Sequence, residues 1–188
     1  MIDWLKNRLE RVVGEDSNLI RQAKKGNKEA FGNLYLKYLP GIYRYFFFRI
    51  GQDKQTAEDL SEEVFFKAWE ALPRYEEKGW RFSAWLYRIA HNLLVDSYRK
   101  EKETADWSDF YLVEDKSLEI VLAEEERTVL YKAIETLTDD QKQVVLLKFV
   151  EGFETREISE ITGKREDAIR ALQARALQKL KEILEKDE

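Results

Sequence analysis

LTDDQKQVVLLKFVEGFETREISEITGKREDAIRALQARALQKLKE, residues 137–182, decides how this chain folds. Thr138 and Gln141 have the spacing at which a hydroxyl and an amide each satisfy a free backbone donor at a helix start, so a helix is predicted from 138 to 150. Thr155 can cap a second, short helix that ends near Thr162. Gly163 supplies a tight turn, and a longer helix is predicted from about Arg165 to Glu185. Short helix, turn and long helix make a helix-turn-helix, in which Ser159 is small where the helices touch and Ile158, Ile169 and Leu172 fill the shared face. Along the long helix Ile169, Leu172, Ala176, Leu180 and Ile183 recur at spacings of three and four, which is a core face. The opposite face holds Asp167, Ala171 and Ala174, flanked by Lys164, Arg170 and Arg175; small side chains there let the backbone enter a major groove closely. A solvated basic helix has the same face, but the preceding short helix and the Gly163 turn favour DNA.

Outside this stretch helix remains the default, because only two prolines and eight glycines interrupt 188 residues. Helices are predicted at 17–25, 28–50 with a break near Pro40, 54–71 and 81–101. Sixteen of the twenty-four aromatic residues fall between Phe31 and Tyr87, and only Tyr131, Phe149 and Phe153 follow Tyr111, so the two halves are expected to have different cores. From Glu103 to Ser117 the chain is acidic and lacks helical periodicity, which reads as a linker anchored by Trp107, Phe110 and Tyr111. The expected fold is all-α: a first helical domain at 1–102, an acidic linker at 103–120, and a second domain with the helix-turn-helix at 121–188.

With no cysteine and the single histidine His91, the chain has no means of building a structural zinc site or a disulfide, and it suits a reducing cytoplasm. No metal and no cofactor is expected. The charged residues Asp3, Lys6, Arg8, Glu10 and Arg11 exclude a signal peptide, and no apolar run reaches membrane-spanning length, so no membrane insertion is expected. There is no glycine-rich phosphate loop and no convincing carboxylate pair, which argues against an enzyme.

A net charge of -5 argues against a nucleic-acid protein until its distribution is considered. Basic residues dominate 72–102 and again 164–181, with an acidic stretch between. PRYEEKGWRFSAWLYRIAHNLLVDSYRK, residues 73–100, interleaves aromatics with bases, a pattern that suits single-stranded DNA. Tyr75, Trp80, Phe82 or Trp85 can stack on an exposed base while Arg81, Arg88, Arg99 and Lys100 hold phosphates. Trp85, Ile89, Leu93 and Val95 have core spacing, so at least half of these aromatics are expected to pack; Trp80, beside Gly79, is expected to be exposed on a loop. AEDLSEEVFFKAWEAL, residues 57–72, sets an apolar stripe of Leu60, Val64, Ala68 and Leu72 against Glu58, Asp59, Glu62 and Glu63. With Phe65, Phe66 and Trp69 nearby, that acidic face can receive a basic helical partner or simply be solvated.

Taken in order, three segments resemble the extracytoplasmic-function sigma factors, the smallest promoter-specificity subunits of bacterial RNA polymerase. AEDLSEEVFFKAW resembles the family's segment that binds the clamp helices of the largest polymerase subunit; FSAWLYRIAHNLLVDSYRK resembles its -10 recognition helix. Residues 137–182 resemble its C-terminal domain, which reads the -35 element and binds the polymerase flap. The resemblance implies core polymerase binding through Glu58, Asp59, Glu62, Glu63, Phe66 and Trp69. It implies -10 contacts from Tyr75, Trp80, Arg81, Phe82, Arg88, Asn92, Arg99 and Lys100, with the loop from Pro73 to Trp80 receiving an extruded base. It implies -35 contacts from Thr155, Lys164, Arg165, Asp167, Arg170, Ala171, Ala174 and Arg175. An anti-sigma protein is implied as a further partner. Glu62, Lys164 and Ala174 depart from the family's usual glutamine, apolar residue and histidine, which leaves the -35 preference open. A conventional helix-turn-helix regulator is the rival reading. The scheme rests on separate helical modules tied by an acidic tether; halves fused into one continuous core without an intervening tether would contradict it.

Overall fold

A computed structural model describes residues 16–51, 53–77, 79–104 and 132–185. The chain is helical throughout these residues, with no strand among them. The helices are α1 (16–24), α2 (Lys28–Arg49), α3 (Lys54–Ala71), α4 (Phe82–Thr104), α5 (132–135), α6 (Asp139–Val145), α7 (Thr155–Thr162) and α8 (Glu166–Leu184), with one 3-10 turn at Leu72–Arg74. The expected linker lies outside the described residues beyond Thr104, as do Trp107, Phe110, Tyr111 and the side chain of Lys100. At 103 and 104 the expected linker is instead the end of α4.

Side-chain caps set where α2, α3 and α6 begin, because the first backbone N–H groups of a helix have no partner within it. The Asn27 carboxamide accepts from Ala30 N at 3.1 Å, and Asp53 accepts from Gln55 N at 3.1 Å. The predicted capping box forms, with Gln141 Oε1 accepting from Thr138 N at 3.0 Å and Thr138 Oγ1 accepting from Gln141 N at 3.4 Å. The cap of α7 differs from expectation. Thr155 is its first helical residue, Glu154 is the cap, and the Glu157 carboxylate accepts from Glu154 N at 2.9 Å.

Two further expectations change in the helices themselves. Helix α2 runs unbroken through Pro40, which the sequence assigned to a break. Proline removes the hydrogen bond to the carbonyl of Leu36, but both residues lie on the exposed face, where water satisfies that oxygen. The helix begun at Thr138 reaches Val150 as expected, but its last turn widens: Glu151 N donates to Leu146 O at 3.0 Å, an i to i+5 bond.

Helices α2, α3 and α4 pack on one another, burying Leu34, Ile42, Phe46, Val64, Ala68, Leu86, Ala90 and Leu94. Each leucine, isoleucine, valine or phenylalanine among them contributes about 1.5–3 kcal/mol on leaving water, and the alanines less. Helices α6, α7 and α8 pack similarly around Ile158, Ile161 and Ile169, with a smaller cluster of Ala133, Leu137, Val145, Ala176 and Leu180 beneath α8. The halves do not have separate cores. Helix α4 packs on α7 and α2 on α6, and the buried cluster runs without interruption from Phe46 and Tyr87 into Phe153, Leu147 and Ile158. The physical reason lies in α7, which turns one side toward α8 and the other toward α4. The halves are therefore closed against each other, and any independent action of either requires this face to part.

Candidate nucleic-acid interface

Gly163 makes the helix-turn-helix possible. Its φ of 70° is left-handed, its N–H donates to Ser159 O at 2.8 Å, and Ser159 Oγ donates to Lys164 O at 2.7 Å, so the small serine staples the turn. Ile158 and Ile169 are fully buried between α7 and α8, with Leu172 half-buried beside them. Opposite this core face, α8 exposes Asp167, Arg170, Ala171, Ala174 and Arg175, as the sequence expected. Arg165 reaches Asp167 at 2.8 Å and Arg170 reaches Glu166 at 2.7 Å. Exposed pairs of this kind contribute about 0–1 kcal/mol, so a phosphate can displace the carboxylates at little cost. Lys164 is half-buried and pairs with Asp140 at 3.1 Å; Thr155 is also half-buried.

The basic end of α4 has a different character. Arg88, Asn92 and Arg99 are exposed on one side of the helix, with Arg99 held by Asp96 at 3.1 Å. The loop before α4 is fixed by Lys24 of α1, whose ammonium donates to Tyr75 O at 2.6 Å, and α1 is in turn held on α2, where Asp16 pairs with Lys37 at 2.6 Å and accepts from the Tyr38 hydroxyl. Burial, together with the Asp16 carboxylate, pushes the Tyr38 phenol well up from its usual value. Tyr75, Phe82 and Trp85 form a three-ring cluster with centroids 4.8–5.4 Å apart, and Tyr75 and Phe82 are buried. Neither ring offers a face to a base. Burial and neighbouring carboxylates raise the Tyr75 phenol to about 12. Val95, expected in the core, is half-exposed, whereas Leu86, Ala90, Leu93 and Leu94 are among the residues α4 buries.

Trp80 is half-buried rather than free. Gly79 does place it on a loop, but the Arg156 guanidinium of α7 sits 4.6 Å from its ring centroid. Arg81 forms a bidentate pair with Glu157 at 2.7 and 2.5 Å, donates to Gly152 O at 3.2 Å, and lies 4.8 Å from the Phe153 ring. Farther along the same face Arg44 pairs with Glu151 at 2.7 Å, and Gln143 donates to the Tyr45 hydroxyl at 3.0 Å and meets His91 Nδ1 at 2.7 Å. Burial pushes His91 down to about 4, aided by Arg49 and Lys164 and opposed by Asp140. The ring is therefore neutral, and its Nδ1 is the acceptor. A cleft of about 340 Å³ remains between the halves, lined among others by Lys37, Arg44, Arg81, Tyr87 and Glu151. Sequence reasoning missed Arg44, Gln143, Glu151 and Glu157, because each meets a partner 52 to 107 positions away and no local pattern marks such pairs.

On α3 the apolar stripe of Leu60, Val64, Ala68 and Leu72 is buried, and Glu58, Asp59, Glu62 and Glu63 are exposed. Phe66 stands among them at 63% exposure, an uncommon position for a large aromatic. Trp69 packs edge-on against Phe31 at 4.8 Å and is half-buried. Beside this face Tyr35, Leu39, Pro40, Tyr43, Glu58, Ser61 and Glu62 line an apolar groove with an acidic rim. No helix among the described residues is long and apolar enough to cross a membrane, and no His, Cys, Asp or Glu cluster among them can hold a metal ion.

Residues 34–104 match the Sigma-70 region 2 family, and residues 127–180 match Sigma-70 region 4. BldN of Streptomyces coelicolor, an ECF RNA polymerase sigma factor, is 36% identical over 174 residues, which covers 90% of this chain but 66% of BldN, just under two thirds of its length. SigX and SigW of Bacillus subtilis, also ECF sigma factors, are 28% and 31% identical, and the matches cover 84% and 76% of this chain and 85% and 82% of theirs. Among solved structures, CnrH in complex with the cytosolic domain of CnrY shares the fold with a TM-score of 0.66 at 25% identity, covering 93% of this chain and 99% of CnrH. RpoE of Bartonella quintana, crystallised with the anti-sigma factor NepR, has a TM-score of 0.67 at 24% identity over 84% of this chain and 98% of RpoE. With both sigma regions matched in order on an all-helical chain, this protein belongs to the extracytoplasmic-function sigma factors, which recognise promoters and initiate transcription.

Proposed function

We propose that this chain docks on core RNA polymerase through α3, reads duplex -35 DNA with α8, and nucleates melting by holding a -10 base near the start of α4. The observation that carries the reading is the pairing, in one chain, of a helix-turn-helix whose outer face is small and basic with a second exposed basic face on α4. Arg165, Arg170 and Arg175 are the phosphate and base-edge contacts at -35; Ala171 and Ala174 permit close approach. Arg88, Asn92 and Arg99 meet the opened -10 strand, and Trp80 stacks on the captured base once Arg156 withdraws. Exposed Phe66 and the four carboxylates around it receive the clamp helices, and Phe149, half-exposed above the widened turn, meets the flap.

Magnitudes explain why polymerase is required. DNA stacking averages about 1.4 kcal/mol per step, so a bubble of roughly ten steps costs on the order of 14 kcal/mol. A stacked base returns about 1–3 kcal/mol. One captured base starts the opening and polymerase contacts complete it. The chain itself catalyses no reaction and works in the cytoplasm. Because the similar CnrH and RpoE are held by CnrY and NepR, an anti-sigma protein is proposed to hold this chain too. Domain limits of 1–102 and 121–188, joined by an acidic linker, fit this division of labour. Run-off transcription tests the scheme: the added chain is expected to direct core polymerase to a matched promoter, and no stimulation would overturn it. Tight, sequence-specific binding by the chain alone would favour a conventional regulator instead.

A further inference from the structure

Helix α4 presents one apolar residue on the face proposed to meet the opened -10 strand. Among the described side chains of α4, the exposed ones are Arg88, Asn92, Val95, Asp96 and Arg99. At about 100° of turn per residue these five fall within an arc of about 100°, and Val95 faces within about 40° of both Arg88 and Arg99. Along the helix axis it stands about 4.5 Å beyond Asn92 and about 6 Å short of Arg99. Asp96, the one acid on the face, is held by Arg99 at 3.1 Å.

A single exposed valine is commonplace on a protein surface, so exposure alone assigns it nothing. Its position does. The helix gains little from it there, because a β-branched residue forms helix less readily than alanine, lysine or arginine and 50% of this one stays in water. Trp85, Ile89 and Tyr98, the half-buried apolar residues of the same helix, rest on the core instead. Two arginines against one acid give the surroundings of Val95 a basic character, which fits nucleic acid better than an apolar protein surface. Arginine and asparagine register phosphates and the donors and acceptors of base edges. The one apolar feature on such an edge is the 5-methyl group of thymine, which is read by apolar contact.

Resting on the sigma-factor reading above, we propose that Val95 is a specificity-determining residue: its isopropyl group packs on the 5-methyl group of a thymine in the -10 element, between Asn92 and Arg99. The contact requires no rearrangement of α4, because Val95 is exposed as the helix stands. Burying one methyl group corresponds to about fourfold in affinity, which sets a preference for thymine and falls far short of an absolute requirement.

Template selection and the removal of one methyl group from the DNA test this. Core polymerase carrying the full chain would select run-off templates from a library randomised across the -10 element. The wild-type chain should enrich thymine about fourfold at one position. Val95→Ala should lose that enrichment and keep the preferences elsewhere, and Val95→Ile should retain it. In the selected promoter, deoxyuridine in place of that thymine removes only the methyl group. Wild type should then form open complexes about fourfold less readily, whereas Val95→Ala should start about fourfold lower and lose nothing more. Alanine suits an exposed helix position, so Val95→Ala should melt close to wild type, and the deoxyuridine measurement on the wild-type chain needs no variant. A selected pool without a thymine preference, deoxyuridine without effect on wild type, or an equal deoxyuridine loss in Val95→Ala would each overturn the methyl contact. Run-off product with no thymine effect rejects the role of Val95 alone, and no product from any template rejects the sigma-factor reading beneath it.

Discussion

Gly163 carries the conformational demand of the helix-turn-helix. Its position is open, with nothing within 4 Å of an added Cβ, so Gly163→Ala meets no clash and only the left-handed backbone resists it. That substitution should cost about 1–2 kcal/mol in urea unfolding, and Gly163→Asn should cost less. Arg170 is a contrasting residue, because its ion pair with Glu166 is exposed and adds only about 0.2–0.5 kcal/mol. Arg170→Ala should therefore leave the unfolding midpoint nearly unchanged while promoter binding weakens by about 1–3 kcal/mol, lowering promoter-dependent initiation about five- to 150-fold. Equal losses in stability and transcription would show that Arg170 is structural. Both residues were legible beforehand, since a turn glycine and a basic position opposite a core stripe are local patterns. Trp80 was not: its exposure depends on Arg156, which lies 76 positions away in sequence.

At the level of the helices, periodicity named the buried faces of α3 and α8, and capping chemistry placed the start of α6 at Thr138 but put the cap of α7 one residue late. Helix α3 is the clearest case. Its Leu60, Val64, Ala68 and Leu72 stripe is buried, so what remains outside is available for a partner. Phe66→Ala should leave thermal stability close to wild type, because the ring is already in water, yet weaken polymerase binding by about 1 kcal/mol or more. Unchanged affinity in a titration against core polymerase would remove Phe66 from that interface. Helix α4 was read less well, with Val95 assigned inward and found half-exposed. The three consecutive apolar residues Leu93, Leu94 and Val95 fit more than one stripe with Ile89, and packing against α2, α3 and α7 selects Leu93 and Leu94. Pro40 shows the same limit, since whether a helix survives a proline depends on whether its freed carbonyl faces water.

Across the whole molecule, closure has a pH signature. His91, held at about 4 by burial with Arg49 and Lys164 facing it, returns toward its ordinary 6.5 when the halves part, while Asp140 acts in the opposite sense. The open form then binds the additional proton as pH falls. Closure is thus fully favoured above about pH 6.5 and is weakened progressively from there down to about 4. In this cysteine-free chain, nitroxide labels at Lys28→Cys on α2 and Glu182→Cys on α8, both exposed, should report a distance distribution that broadens between pH 7.5 and pH 5, and His91→Asn should flatten that dependence. A pH-independent wild-type distance would show that His91 stays buried and neutral in both arrangements.

Sequence alone determined the all-helical class, the glycine-turned reading helix, the acidic face of α3 and the basic face of α4, because each arises from neighbours within a turn or two of helix. Only the tertiary structure decided that the two halves share one buried face, that Arg81 is spent on Glu157, and that Tyr75 and Phe82 are interior rings. Those outcomes depend on which surfaces meet after the helices form. Pairings between residues 52 to 107 positions apart leave no periodic trace in the chain that encodes them.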